Sequence, residues 1–316
     1  MIISKIYRWI LAIFLIFIAI FYIDWGLLKD SFSSLHIEAL LISQPVQVLL
    51  IFIVSCRLSI LIQNNCNKII IFFQAYILSI GLNTILPGRI SEIVKVTYLK
   101  EWLNIPFTNS SVGVIVERLI DLLILISLIL LGFGSLWLEF NQILMFATFF
   151  SFIILSLIFV SIYPDLICRF IDKFSFNKFK ENLKNFVLRF QETIKSNGFI
   201  IAFLLSIFSW VGSYLMVYLI LKIIYGSGIS MNDTLIIFSA LSLGRAIPGL
   251  PGGIGIYEAA IVISMEYLGF NFSESLATAI TIHASQIIFV TLGSLFIFGK
   301  KGIGISFFIK KLRDKL

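Results

Sequence analysis

The sequence LPGRISE, which runs from Leu86 to Glu92, breaks one long apolar run of the chain, and LPGGIGIYE, from Leu250 to Glu258, breaks another. Both begin with Leu-Pro-Gly and pass through an isoleucine to a glutamate. Proline removes a backbone donor and interrupts a helix, whereas glycine lets the chain turn or lets a ligand approach the backbone. Irregular backbone survives inside a bilayer only where protein or a water-filled cavity surrounds it. We therefore expect both breaks to line an interior site.

The composition around these breaks is typical of a chain that lies mostly in lipid. Of the 316 residues, 59% are hydrophobic and 13% are charged, whereas soluble domains carry about 25% charged residues. Several runs reach the roughly 20 apolar residues that a spanning helix needs. The sequence thus predicts an all-α, polytopic membrane protein in which residues 1–316 form a single integral membrane domain.

The apolar runs predict about eight membrane segments. Six of them are simple spans, which we place at about 6–23, 46–62, 111–134, 142–162, 198–225 and 274–299. The two broken runs, 69–100 and 234–269, supply the other two as re-entrant hairpins. The first two spans are joined by a polar outer segment at 24–44, and an amphipathic basic segment occupies 164–197.

The distribution of basic residues predicts the orientation. Lysines and arginines are concentrated near the N-terminus (Lys5 and Arg8), at 165–195 and at 300–316. The positive-inside rule places these regions, and so both termini, on the cytoplasmic side of the cell (inner) membrane. The first broken run then enters from the cytoplasm and the second from outside. Paired Gly/Pro breaks of opposite direction indicate an inverted repeat, with halves at about 46–135 and 198–299.

Charged residues inside the apolar runs are the candidate functional residues. Each costs roughly 2.5–3.5 kcal/mol at the centre of a membrane helix, so we expect them to face a protein interior. The candidates for substrate binding are Asn83, Arg89, Glu92, Glu117, Arg118, Asp121, Arg245, Pro251, Gly252, Gly253 and Glu258.

These residues predict a polar cavity for an anionic or zwitterionic headgroup. Arg89 and Arg245, with help from Arg118, would hold phosphate, and Glu92 and Glu258 would hold an amine or a coupling proton. The alternative is a buried ion-pair network that only fixes helix packing. Arg57 is expected to extend toward the cytoplasmic interface. For His283, a packed, hydrogen-bonded role is favoured over a proton relay.

Other classes of site are not indicated. The three cysteines, Cys56, Cys66 and Cys168, have neither disulfide nor metal-ligand spacing. No hydrolase, metalloprotease, P-loop or dinucleotide motif occurs, so we expect a transporter rather than an enzyme, with no cofactor and no metal. The basic clusters fit membrane orientation and do not indicate nucleic-acid binding.

Three ordered motifs resemble those of the flippase-like family named for the transmembrane region of lysylphosphatidylglycerol synthases: Asn83-x-x-x-Pro87-Gly88-Arg89-x-x-Glu92, Glu117-Arg118 with Asp121, and Pro248-x-x-Pro251-Gly252-Gly253-x-Gly255-x-x-Glu258. The resemblance spans nearly the whole chain. It implies about eight membrane segments and a role in translocating aminoacylated phospholipids or polyprenyl-phosphate-linked sugars. Ser91 stands where the family usually has glycine. The soluble aminoacyl-transfer domain of the synthases is not expected here, so only the membrane function carries over.

Three functions remain open. The first is a lipid flippase or transporter, whose partner is a membrane lipid headgroup. The second is a membrane-embedded transferase that uses a lipid-phosphate donor, with Asp24, Asp30 and Glu38 as candidate acidic residues. The third is a non-catalytic partner of an enzyme of lipid or glycan synthesis. The sequence does not determine the oligomeric state.

Overall fold

The computed structural model describes residues 36–63, 66–85, 91–133, 140–173, 177–247 and 251–301. Within these ranges every regular element is helical. The predicted first span at 6–23, Asp24, Asp30, the first break with Arg89, Pro248 and the basic tail lie outside the described residues.

The helices fall into three groups along the chain. The first group is α1 (Ile37–Gln63), α2 (Ile69–Ile85), α3 (Ser91–Leu103) and α4 (Phe107–Phe133). The second is α5 (Phe140–Ile162), α6 (Pro164–Asp172) and α7 (Asn177–Lys195). The third is α8 (Asn197–Tyr225), α9 (Met231–Ala246), α10 (Ile256–Tyr267) and α11 (Phe272–Lys301). Short 3₁₀ turns lie at Gly226–Gly228 and Pro251–Gly253.

Three described helices are long and apolar enough to cross a membrane: Ile37–Ile62, Asn197–Gly228 and Phe272–Lys301. A fourth span results if the bent pair Ala147–Ile162 and Pro164–Asp172 counts as one. Helix α4 has 27 residues, but Glu117, Arg118 and Asp121 interrupt its apolar sequence. The chain is therefore a multi-pass helical membrane protein with three or four apolar spans among its described residues. The total of eight segments stays a prediction.

Helix α1 begins at Ile37, earlier than the predicted start at about 46, so the outer segment is shorter than expected. Pro45 lies inside the helix and removes one backbone donor. The side chains of Ser43 and Gln44 both donate to the carbonyl of Leu40, at 2.7 and 3.0 Å. The helix nevertheless continues through Pro45 to Gln63.

The amphipathic basic segment at 164–197 forms two helices, α6 and α7. Helix α6 leaves α5 at an angle of 82°, and its Leu166 and Phe170 are exposed. Asp172 at its end contacts Lys180 and Lys184 of α7 at 2.9 and 2.6 Å. Hydrogen bonds from Lys184 and Lys180 lower the pKa of Asp172. These two ion pairs connect the end of α6 to α7.

The first and third groups have the same order of helix lengths. Helices α1 to α4 contain 27, 17, 13 and 27 residues, and α8 to α11 contain 29, 16, 12 and 30. In each group, the two short helices flank one of the Pro/Gly breaks and pack against each other.

The first and third groups each pack their second helix against the last helix of the other group. Helix α1 packs against α8, α2 packs against α11, and α4 packs against α9. Helices α1 and α8 are antiparallel, because Leu50 meets Gly212 while Arg57 farther along α1 bonds Ser206 earlier in α8.

Glycine residues permit two of these contacts, α2 with α11 and α4 with α9. A Cβ atom added to Gly81 of α2 would lie 2.6 Å from the carbonyl oxygen of Val290 on α11 and would also meet the Ser294 hydroxyl. A Cβ atom added to Gly132 of α4 would collide with Ser239 of α9. Close approach of helix backbones at small residues is typical of membrane bundles, so these glycines set the distance between helices.

Replacing Gly81 with alanine should separate α2 from α11 and destabilise the fold by about 1–3 kcal/mol, as overpacking does. Gly299→Ala is the matched control, because a Cβ atom there meets nothing within 4 Å and alanine favours the helix. Thermal unfolding of both variants in lipid nanodiscs measures the difference. Equal stability of the two would contradict the close packing at Gly81.

Candidate functional site

Arg57 of α1 lies at the centre of the first charged cluster. Its guanidinium contacts Glu117 Oε1 at 2.8 Å and both oxygens of Asp121 at 2.7 and 3.2 Å. It also donates to the Ser206 hydroxyl at 3.0 Å. The side chains of Arg57 and Glu117 are 2% and 0% exposed. Burial at this depth requires paired charges, so α1, α4 and α8 are joined through Arg57.

The same cluster extends to α2 and α3 through Lys95. Its ammonium group lies 3.3 Å from Glu117 Oε1 and 4.3 Å from the centre of the Tyr76 ring. On the opposite side, Trp210 donates to Asp121 at 3.1 Å. Lys95 and Tyr76 are buried, so the aromatic face and the carboxylate together replace the water that the ammonium group loses.

Arg118 closes the cluster at its accessible edge. It lies 3.1 Å from Glu92, 3.4 Å from Glu117 and 3.7 Å from Asp121. Its side chain is 51% exposed, and that of Glu92 is 30% exposed. Three cations (Arg57, Lys95 and Arg118) thus face three carboxylates (Glu92, Glu117 and Asp121), and one of the cations is open to an incoming group.

A second cluster surrounds the Pro251–Gly253 turn. His283 of α11 contacts Glu258 through Nδ1 at 2.5 Å and the Gly252 carbonyl through Nε2 at 3.0 Å. Glu258 also accepts a hydrogen bond from the Gly255 amide at 2.7 Å. The buried Tyr257 ring stacks on the imidazole with centres 4.4 Å apart. Glu258 therefore ties the start of α10 to α11.

Arg245 lies on the exposed side of this second cluster. It donates to Gln286 Oε1 at 2.6 Å, and its guanidinium carbon lies 5.7 Å from the centre of the Tyr257 ring. Gln47 of α1 donates to the Gln286 carbonyl at 3.2 Å. Arg245 is therefore a cation at the end of α9, oriented by α10 and α11.

The two clusters lie at different depths of one bundle. Gln47 and Arg57 are ten residues apart on α1, which corresponds to about 15 Å along the axis. The second break reaches the end of α2: a Cβ atom on Gly252 would lie 3.6 Å from Thr84 Cα. Thr84 also contacts Thr291 of α11 at 3.2 Å. The Pro251–Gly253 turn therefore packs against the helix that leads into the first break.

The structure brings most of the sequence-derived candidates into these clusters. Glu92, Glu117, Arg118 and Asp121 share the first, and Arg245, Gly252 and Glu258 share the second. Asn83 is half-buried in the last turn of α2 beside Thr84. Pro251 and Gly253 belong to the 3₁₀ turn. Arg89 lies outside the described residues, so its position stays a prediction.

The expectation for Arg57 was wrong. An arginine near a helix end suggested extension toward the interface, but the side chain points inward because Glu117 and Asp121 offer a bidentate partner. The sequence carried a signal, since an excess of carboxylates on α4 required a cation from another helix. Lys95, Trp210, Gln47 and Gln286 were not among the candidate site residues. Lys95 is itself a charge inside an apolar run, on one predicted helical face with Arg89 and Glu92, whereas nothing in single-residue chemistry indicated the other three.

Arg57→Leu should remove the cation that lies closest to both Glu117 and Asp121 and destabilise the protein by about 3–5 kcal/mol. Adding Glu117→Gln should recover part of this loss. Arg169→Gln is the control, because Arg169 is an exposed arginine on α6, away from both clusters, and surface substitutions of this kind change stability by about 0.5 kcal/mol or less. Thermal unfolding in nanodiscs measures all three. A loss no larger than that of the control would contradict the central role of Arg57.

Neither the curated proteins nor the solved structures contain a match to this sequence. A family model does match: the lysylphosphatidylglycerol synthase TM region aligns with residues 9–294, which includes both breaks and every charged residue of the two clusters. The family is one of membrane proteins tied to lipid metabolism or transport. The chain therefore belongs to the lysylphosphatidylglycerol synthase transmembrane region family.

Proposed function

We propose that this protein moves a lipid with an anionic or zwitterionic headgroup across the membrane. The substrate class is a phospholipid or a polyprenyl-phosphate-linked lipid. Its headgroup follows the polar path between the two clusters, and its tails stay in the bilayer. Family membership supports a role in lipid handling, and the clusters supply polar contacts inside an apolar bundle.

Arg118 is the observation that carries the proposal. It is a half-exposed cation in the interior of a 27-residue helix, next to the similarly accessible Glu92. A purely structural ion pair has no need of an open side. An exposed arginine beside a carboxylate offers phosphate a bidentate donor and offers an amine an acceptor. This pair therefore suits the headgroup of a zwitterionic lipid as well as an anionic one.

The halves at 46–135 and 198–299 act, in this proposal, as an inverted repeat. Their helix lengths follow the same order, and their contacts are reciprocal. Each half also holds a glutamate in the first turn of a short helix, paired with a basic residue on the next long helix: Glu92 with Arg118, and Glu258 with His283. Alternating access then follows from one half rocking against the other around the α1–α8 contact.

The proposed location is the cytoplasmic membrane, with both termini in the cytoplasm. In this orientation the α1–α2 loop and α6 face the cytoplasm, the Gly226–Gly228 turn faces outward, and the two hairpins enter from opposite sides. The basic residues of α6 and α7 support it through the positive-inside rule.

Cys66 in the α1–α2 loop tests this orientation, because it is exposed. A membrane-impermeant maleimide added to intact cells should leave it unlabelled and should label it only in inverted vesicles. Ser227→Cys, made in a background with the three native cysteines replaced by serine, should give the opposite pattern, since Ser227 is exposed in the Gly226–Gly228 turn. Labelling of both positions from the same side would contradict the orientation.

The transport test uses the purified protein in liposomes with fluorescent phospholipids of anionic and zwitterionic headgroup and a polyprenyl-phosphate lipid. The native protein should move at least one of these between leaflets. Arg118→Gln should slow that movement by roughly tenfold or more, because a hydrogen bond to a charged group contributes about 1.5–3 kcal/mol.

Arg169→Gln is the matched control, since Arg169 is an exposed arginine on α6, away from both clusters. It should leave the rate unchanged. Failure of the native protein to move any lipid of the panel would overturn the proposal. Equal slowing by both substitutions would remove Arg118 from the path.

A further inference from the structure

The hydrogen bonds of His283 require one proton more than a neutral imidazole carries. Its Nε2 atom lies 3.0 Å from the Gly252 carbonyl, which only accepts, so Nε2 must carry hydrogen. Its Nδ1 atom lies 2.5 Å from Glu258 Oε1, and that contact also needs a proton. A neutral histidine supplies one hydrogen for these two contacts. The pair therefore holds an extra proton when both contacts are made.

This extra proton resides on the imidazole, with Glu258 as the carboxylate. The second oxygen of Glu258 accepts the Gly255 amide at 2.7 Å, and the carboxylate lies in the first turn of α10. Helix N-terminal amides and dipole favour an ionised carboxylate. The described state is thus an imidazolium–carboxylate pair, which is neutral as a whole and suited to its buried site.

Loss of the proton breaks one of the two contacts. If Nε2 keeps its hydrogen, the Nδ1 lone pair faces the Glu258 carboxylate. If Nδ1 keeps it, the Nε2 lone pair faces the Gly252 carbonyl. Either arrangement places two acceptors against each other, and a buried acceptor without a donor costs about 1–3 kcal/mol. Deprotonation therefore loosens either the start of α10 or the Pro251–Gly253 turn.

The turn affected in this way packs against the end of α2. Gly252 has φ +72°, a conformation in which a side chain is strained, and lies close to Thr84 of α2. A change in the turn therefore acts directly on the end of α2. The Glu92–Arg118 pair in the first half contains an arginine, which stays charged, whereas the pair in the second half contains a histidine.

We propose that the Glu258–His283 pair is a proton-binding site. Its occupancy controls the contact of the Pro251–Gly253 turn with Thr84 at the end of α2. The ligand is a single proton, taken up by Nδ1 of His283 and released to water past the partly exposed Glu258. This inference deepens the proposed lipid transport and rests on it for its physiological meaning, since it makes the proton the coupling ion. The proton site itself is testable without any lipid movement.

The charged and titratable surroundings of the pair are few among the described residues. Tyr257 of α10 stacks on the imidazole, and Arg245 of α9 lies over the Tyr257 ring. Helices α1 and α2 contribute the uncharged Gln44, which donates to the Ser285 carbonyl at 3.1 Å, and Thr84. Arg245 repels an imidazolium and attracts the carboxylate, so Arg245→Gln should shift proton binding without removing it.

The chain favours a direct test because it contains two histidines, His36 and His283. His36→Gln leaves His283 as the single imidazole, whose nitrogen-15 resonances in nanodiscs report the protonation of each ring nitrogen. Both nitrogens should carry hydrogen at acidic pH, and one hydrogen should leave as the pH rises. Over the same pH interval, amide exchange at 252–255, corrected for its intrinsic pH dependence, should accelerate by about tenfold.

Glu258→Gln in the same background should abolish this dependence on pH, leaving fast amide exchange at 252–255 at every pH. Glu274→Gln is the matched control, because Glu274 is an acidic residue in the first turn of the same helix α11 and should behave as the parent. A single neutral tautomer at all pH values would overturn the proposal. So would an exchange rate that follows pH equally with and without Glu258.

Transport in liposomes separates this inference from the proposed function. With a fluorescent phospholipid that the native protein moves, an imposed pH gradient should change the rate by about tenfold in the native protein and leave Glu258→Gln unaffected. Gradient-independent movement would overturn proton coupling while transport stands. A titrating pair in a protein that moves no lipid would leave the proton site standing and overturn the transport proposal.

Discussion

The bundle depends on the neutralisation of charge at the buried centre of α4. Glu117 is inaccessible and would be prohibitively unstable alone in a low-dielectric interior. Arg57, Lys95 and Arg118 all contact it. Arg118 belongs to α4 itself, whereas Arg57 and Lys95 come from other helices, so the positions of α1 and α3 relative to α4 follow from a requirement of electrostatics. Apolar packing then fills the space around this arrangement.

Packing in the rest of the bundle is governed by small residues. Lipid tails are as apolar as leucine, so burial of apolar side chains gives little preference for one helix neighbour over another. Gly81 and Gly132 instead allow close contacts that larger residues would prevent. Serine and threonine hydroxyls along these helices bond their own backbone, as Ser55 does to Ile51 at 2.6 Å. Hydroxyls bonded in this way satisfy their donors within their own helix.

The sequence predicted the helical segments well and the site only in part. Apolar runs gave the approximate bounds of α2, α5, α8 and α11, because hydropathy depends on local composition. The family was predicted correctly from the spaced motifs, which the match to 9–294 confirms. The start of α1 was misplaced, since the polar residues of 24–44 were interpreted as an outer segment, whereas the helix begins at Ile37.

Partners within the clusters could not be read from sequence. Glu92 and Arg118 pair across two helices, and Glu258 and His283 pair across two others. Spacing on one helix reveals which residues share a face, but it does not reveal which face meets another helix. The inward turn of Arg57 is the clearest case, because its partners lie far away in the chain.

The sharp bend between α5 and α6 has a mechanical consequence for the protein. With α5 crossing the bilayer, the 82° angle lays α6 nearly along the surface, where the exposed Leu166 and Phe170 reach the acyl region and Arg169 reaches the headgroups. The ion pairs of Asp172 with Lys180 and Lys184 connect α6 to α7. A helix placed in this way would help to set the depth of the bundle in the bilayer.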